Sequence, residues 1–136
     1  LGGVYHWWPK MFGRMYNERF AKIAWVVLFI GFNGTFLPQF VLGMEGMPRR
    51  YYDYPAEFEP LHFVSTIFAY LNGIGYLMVF GNLIHGMIWG KVAPENPYES
   101  LSIEWKTQSP PIHENFEEIP VVTEWTYGYS GAKEAH

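Results

Sequence analysis

Cysteine is absent from all 136 residues, which excludes disulfides, thiolate metal sites and thiol nucleophiles. Charge is scarce as well. Nine Lys or Arg and thirteen Asp or Glu make up 16% of the chain and leave a net charge of −4. No basic run offers a stripe for phosphates, so nucleic acid is excluded as a partner. No internal repeat or low-complexity tract is present. The few charges are gathered into three blocks. Between Lys22 and Glu45 lie 22 residues with no formal charge, and between Glu59 and Lys91 lie 31. At about 1.5 Å rise per residue, either run as a helix exceeds the roughly 30 Å hydrocarbon core of a bilayer. The mean hydropathy of −0.05 averages these runs with the polar blocks and hides them. The expected fold class is an all-α membrane protein with two transmembrane helices and an extended C-terminal arm.

The stretch before the first span is aromatic and basic: Tyr5, Trp7, Trp8, Phe12, Tyr16 and Phe20 alternate with Lys10, Arg14, Arg19 and Lys22. Such side chains favour the membrane–water interface, and residues 1–19 are assigned to it. Pro9 is expected to interrupt any helix there. The first span is placed at 20–44, with a kink at Pro38. A loop comes next at 45–60, broken by Gly46, Pro48, Pro55 and Pro60. The second span is placed at 61–90. The tail, 91–136, carries eight Glu, three Lys and five Pro. Its Trp105, Phe116, Trp125, Tyr127 and Tyr129 are too many aromatics for a solvated linker, so it is expected to dock on a partner surface. The basic N-terminal flank and Lys91 place both termini on the cytoplasmic (or matrix) side, with the loop opposite.

Within the spans, Asn33, Gln39, Asn72, Asn82 and His85 are costly against hydrocarbon. Gly31, Gly34, Gly43, Gly73, Gly75, Gly81, Gly86 and Gly90 allow close helix approach, with Gly86 and Gly90 forming a small-xxx-small pair. Packing inside a larger bundle explains this set better than chemistry does. The histidines, His6, His62, His85, His113 and His136, show no metal-ligand spacing. A haem or metal role for His85 is less favoured than packing. The sharpest segment is Gly46-Met47-Pro48-Arg49-Arg50-Tyr51-Tyr52-Asp53-Tyr54-Pro55. Arginine stays ionised and grips carboxylate or phosphate through a planar fork. From composition, Arg49 and Arg50 either pair with Asp53, Glu57 or lipid phosphates, or hold an anionic ligand at the membrane surface. The residues themselves leave both readings open.

Phe32-Asn33-Gly34-Thr35-Phe36-Leu37-Pro38-Gln39-Phe40, then Leu42-Gly43-Met44-Glu45-Gly46-Met47-Pro48-Arg49-Arg50-Tyr51 and Asp53-Tyr54-Pro55, closely resemble subunit I of the haem–copper oxidases. The match is to its last two helices and the loop between them, within a twelve-helix bundle. Gly2-Gly3-Val4-Tyr5-His6-Trp7-Trp8-Pro9-Lys10 resembles the exit of the preceding helix. Leu101-Ser102-Ile103-Glu104-Trp105-Lys106-Thr107-Gln108-Ser109-Pro110-Pro111 and Glu114-Asn115-Phe116-Glu117 resemble the tail of the bacterial cytochrome c oxidase type. The resemblance implies that Arg49 and Arg50 contact the propionates of two haems on the outer side, a proposed stopover for pumped protons. It also implies that the haem and copper ligands lie outside these residues, so copper belongs to the parent subunit and is not ligated here.

On this resemblance the chain is expected to be part of a proton-pumping cytochrome c oxidase, which passes electrons from cytochrome c to oxygen. Its expected partners are the remainder of subunit I, subunits II and III, the electron donor and membrane lipid. A bacterial inner membrane is favoured over a mitochondrial one. The alternatives are the same part of a quinol oxidase, or a non-catalytic two-helix adaptor. The start at Leu1 is expected to reflect a cropped, cleaved or separately encoded piece.

Overall fold

A computed structural model describes residues 1–50 and 52–121. Among the described residues three α-helices form: α1 (Gly2–Phe12), α2 (Glu18–Met44) and α3 (Glu59–Trp89). Short 3-10 turns occupy Ala56–Phe58 and Ile103–Trp105. Among the described residues the only β pairing is an isolated bridge between Arg14 and Val92. Both α2 and the helical stretch Ala56–Trp89 are long and apolar enough to cross a bilayer. The fold is all-α and membrane-spanning in type. The chain divides into two units, one of Asn17–Ile84 and one of Leu1–Tyr16 with His85–His136.

The first unit is an antiparallel helical hairpin. Asn17 caps α2, its Oδ1 accepting from the Phe20 N–H at 3.1 Å. In the C-terminal half of α2, Pro38 removes one backbone donor, and the helix nevertheless runs on to Met44. The helix ends where Gly46 turns to φ +91°: Gly46 N–H donates to Gly43 C=O and Met47 N–H to Leu42 C=O, closing the orphan carbonyls. Pro60 falls in the first turn of α3, where a missing N–H costs little.

Close backbone approach explains three of the span glycines. A Cβ at Gly31 would lie 2.6 Å from the Asn72 nitrogen, one at Gly75 2.8 Å from Leu28 Cγ, and one at Gly34 inside the Phe68 ring. Small residues are what let helices meet this tightly. Gly43, Gly73 and Gly81 face open space instead. Of the polar residues, Thr35 donates to Gly31 C=O, Ser65 to Thr35 C=O and Gln39 to Ser65 Oγ, so a chain of hydrogen bonds crosses the hairpin. Asn33 turns back on its own helix, to Phe29 C=O. Asn82, 4% exposed, grips the backbone of Asn17 from both sides: its Oδ1 accepts from Asn17 N–H at 3.1 Å and its Nδ2 donates to Asn17 C=O at 3.0 Å. The packing explanation thus holds for Gly31, Gly34, Gly75, Gln39 and Asn82. Asn72 Oδ1 is buried without a partner among the described residues.

In the second unit, α1 runs through Pro9, contrary to the expected interruption. Pro9 lies near the C-terminal end of a short helix, so its missing N–H forfeits only one bond. The helix stops at Gly13 (φ +64°), whose N–H reaches Pro9 C=O at 2.8 Å. The next residues pair with the end of α3 and the start of the arm. Met15 N–H donates to Lys91 C=O, Ala93 N–H to Gly13 C=O, and Arg14 Nη1 to Gly90 C=O, at 2.8–2.9 Å. Gly86 and Gly90 face this Met15–Tyr16 segment, not a second helix, which corrects their expected role. A Cβ at Gly86 would meet Tyr16 Cα at 3.0 Å.

The described part of the tail packs on α1 of its own chain, which answers where that part docks. Trp105 is 2% exposed, and Tyr98 stacks on His6 with ring centroids 5.0 Å apart. Lys10, 7% exposed, sends Nζ to Glu95 C=O at 3.3 Å, Gln108 C=O at 3.2 Å and Thr107 C=O. Its ammonium also lies 5.3 Å from the centre of the Trp105 ring. Burial pushes the Lys10 amine below its ordinary value, with Glu95 opposing. Trp125, Tyr127 and Tyr129 lie outside the described residues.

Candidate functional site: the arginine loop

The turn at Gly46 delivers the chain to Met47-Pro48, and Pro48 disfavours a helical continuation at Met47. Arg49 and Arg50 come next, both exposed. Arg50 has φ +62°, a left-handed conformation that costs a non-glycine residue roughly 1 kcal/mol or more. Such strain, on a residue with a charged fork, is the kind of feature that clusters at binding sites.

Neither guanidinium has a carboxylate within 4.0 Å among the described residues. Asp53, one of the partners that composition offered, instead accepts from the neighbouring Tyr54 N–H at 2.9 Å. The internal ion pairs to Asp53 and Glu57 are therefore not formed. Two permanent cations stand side by side with no counter-charge from the described residues of their own unit.

Beside them lies a cavity of about 360 Å³, lined by Gln39, Leu42 and Gly43 at the end of α2, by Met47 to Arg50, and by His62 of α3. Gln39 is held by its bond to Ser65, so its amide orientation is fixed across the hairpin. His62 is half-buried: its ring stacks on Tyr54 at 4.2 Å, and Nε2 meets Met47 Sδ at 3.2 Å. The arrangement offers an anion two guanidinium forks, an amide and an imidazole around one opening. These donors suit an anionic group.

The structure brings Arg49 and Arg50 together, as their adjacency requires, and adds Gln39 and His62, which have no site signal of their own in the sequence. Gln39 is visible there only as a polar residue in a span, and His62 only as an isolated histidine. His85 sits 5.4 Å from the Trp89 ring, and His6 lies among Trp7, Tyr98 and Trp105. Among the described residues no three His, Asp or Glu converge as metal ligands do.

Comparison with known proteins bears on what this loop belongs to. Residues 1–71 match the family model described as cytochrome c and quinol oxidase polypeptide I. Cytochrome c oxidase subunit 1 of Thermostichus vulcanus is 44% identical over 127 residues, covering 93% of this chain and 23% of that protein. The same subunit of a Synechocystis strain is 47% identical over 122 residues, covering 90% of this chain and 22% of that protein. A haem–copper oxidase subunit I+III of Aeropyrum pernix is 42% identical over 123 residues, covering 90% and 15%. The chain thus spans less than a quarter of the length of these curated relatives. With a matching model over more than half its residues and the loop's paired arginines inside the matched region, the chain belongs to the family of cytochrome c and quinol oxidase polypeptide I.

Proposed function

We propose that this chain works as part of subunit I of a proton-pumping haem–copper oxidase that passes electrons from cytochrome c to oxygen, and that Arg49 and Arg50 hold haem propionates. The single observation that carries the site assignment is the pair of adjacent guanidiniums, without a counter-charge among the described residues, opening on a cavity also lined by Gln39 and His62. Membership of the oxidase family supports the setting, and the cytochrome c oxidase naming of several relatives supports cytochrome c over quinol as donor. The excess of Lys and Arg on the N-terminal flank supports an outer-side loop in a bacterial inner membrane. The remainder of subunit I supplies the iron and copper ligands, and subunits II and III complete the assembly.

When bound, the haems supply the one-electron chemistry and oxygen activation. The loop's own contribution is electrostatic. Arg49 and Arg50 keep the propionates ionised near a low-dielectric boundary, because an adjacent cation favours the charged carboxylate. Their positive charge also disfavours the ferric state relative to the ferrous state and so raises the haem potential. Arg50 joins the cavity lining from a left-handed turn, and Gln39 lines the same opening.

Spectroelectrochemical titration of the assembled oxidase tests this. One kcal/mol of lost charge interaction corresponds to about 40 mV for one electron. Arg49→Gln and Arg50→Gln are each expected to lower a haem midpoint by tens of millivolts, with the Lys variants lowering it less because the charge survives but the fork does not. Midpoints and proton-to-electron ratios equal to the parent enzyme in all four variants refute the assignment.

A further inference from the structure

Between α1 and the arm, within the second unit, lies an open groove of about 830 Å³. Trp7, Met11 and Phe12 of α1 line it from one side, and Ile103, Pro111 and Phe116 of the arm from the other. Trp7 and Met11 stand one turn apart on α1 and stay 49% and 56% exposed, while Ile103 stays 44% exposed. The adjoining Trp8, Pro9 and Lys10 are buried, so the exposure belongs to one face of a helix that is otherwise packed. Apolar concavities in the range of roughly 300–1,000 Å³ mark places where something docks.

Charge at the groove selects the occupant. Glu104 and Glu114 also line it; both are exposed, and neither meets a Lys or Arg within 4.0 Å among the described residues. Glu114 reaches only the exposed His113 ring, at 3.6 Å. Lys10, the cation in the lining, is spent on three arm carbonyls and already feels Glu95. An anionic lipid headgroup is therefore repelled. Residues 122–136 bring Glu124 and Glu134 against Lys133, an excess of the same sign as the groove. A segment carrying Lys or Arg beside apolar side chains matches both the floor and the rim. Cytoplasmic loops of membrane proteins have that excess of Lys and Arg. This chain spans 23% and 22% of two relatives, so most of such a subunit lies outside it and can supply the loop.

We propose that the groove between α1 and the arm seats a basic cytoplasmic loop from the remainder of subunit I. Its apolar side chains enter between Trp7, Met11, Ile103 and Phe116, and its Lys or Arg meets Glu104 and Glu114. This rests on the reading of the chain as part of subunit I. The arm is then a clamp: Lys10 closes it on α1, and the groove so formed grips a second stretch of the same subunit.

The test is photo-cross-linking of the assembled oxidase grown with photo-methionine, a diazirine analogue close in shape to Met11. Trypsin cleavage after Lys10 and Arg14 separates position 11 from the other methionines. The expected product joins Met11 to a subunit I segment outside these 136 residues that has apolar side chains beside at least one Lys or Arg. Hydrogen exchange in that segment should quicken about threefold or more in the double variant Glu104→Gln/Glu114→Gln, because two exposed ion pairs are lost. Added salt should reproduce part of that rise in the parent. Glu118→Gln, whose carboxylate is outside the groove lining, should match the parent. Met11 joined to residues 122–136, to another polypeptide, to lipid or to water alone overturns the proposal, as does exchange unmoved by the double variant. Either result in a haem-bearing preparation leaves the subunit I reading standing. A preparation with no haem and no longer subunit I overturns both.

Discussion

Replacing Lys10 by Met tests how the arm is held on α1. The side chain's length is kept and its ammonium removed. Lys10 Nζ donates to three backbone carbonyls, those of Glu95, Thr107 and Gln108, which lie 85–98 residues away in sequence. A hydrogen bond from a charged donor contributes about 1.5–3 kcal/mol net, and a buried carbonyl left bare costs about 1–3 kcal/mol. Only the Thr107 bond is fully buried; water reaches the other two sites once the amine is gone. Against the loss stands relief from burying an ammonium, whose direction is visible in the lowered amine pKa. The balance is a weakening of arm docking by about 2–4 kcal/mol, which is roughly a 30- to 1,000-fold rise in local opening. The amides of Trp105, Lys106 and Asn115, each bonded within the arm, are the reporters. Hydrogen exchange of the assembled complex is expected to accelerate at these amides by that factor in Lys10→Met, and by less in Lys10→Arg, which keeps the charge. Exchange within about threefold of the parent in Lys10→Met would show that the apolar contacts of Trp105 hold the arm without the lysine.

The same geometry sets two further outcomes. Because Lys10's pKa is lower in the docked arm than its ordinary 10.5, the docked state binds fewer protons between those two values. Docking must therefore strengthen as pH rises through that window, and cleavage of the arm by a protease of flat pH profile should slow there, with Lys10→Met showing no such trend. Asn82→Leu removes both part-buried bonds to the Asn17 backbone, baring its N–H while its C=O keeps the Ala21 N–H, a loss of about 1–2 kcal/mol. Exchange at the amides of Asn17 and Phe20 should rise by about tenfold; parity with the parent would mean that the α2 cap stands without the clamp.

The two spanning helices are legible in the sequence because charge vanishes over runs longer than a bilayer, a signal that survives ignorance of everything else. Gly31, Gly34 and Gly75 are legible only as members of a glycine-rich set. Composition does not separate them from Gly43, Gly73 and Gly81, since which face of a helix meets its neighbour is fixed only by the pairing. Pro9 misleads because a proline's penalty is finite: a short helix can forfeit one bond and continue. Lys10 is invisible as a clamp: its partners are backbone carbonyls, which every residue carries, so no motif marks them. His62 is invisible for a related reason. Its neighbours Met47 and Tyr54 stand on a loop whose path back to α3 the sequence does not specify.

The hairpin has two deficits of different physical kinds, and they call for different remedies. Its outward faces expose Phe29, Phe36, Phe40, Tyr70, Leu77 and Phe80, a surface that lipid tails or other helices satisfy equally well. A two-helix adaptor would share this property, so it decides nothing about function. The loop's deficit is electrostatic: Arg49 and Arg50 lack a counter-charge among the described residues, and Arg50 is held in a costly conformation. Water can hydrate these exposed guanidiniums, lipid tails do nothing for them, and an anion supplies the counter-charge. A lipid phosphate would meet the charge, be weakened by salt, and leave haem potentials where they were. A propionate would meet the same charge with its response carried into the potential. Binding alone cannot separate the two anions, because the fork grips both. The midpoint potential separates them, because only one of the two is covalently part of the group whose electron affinity is being measured.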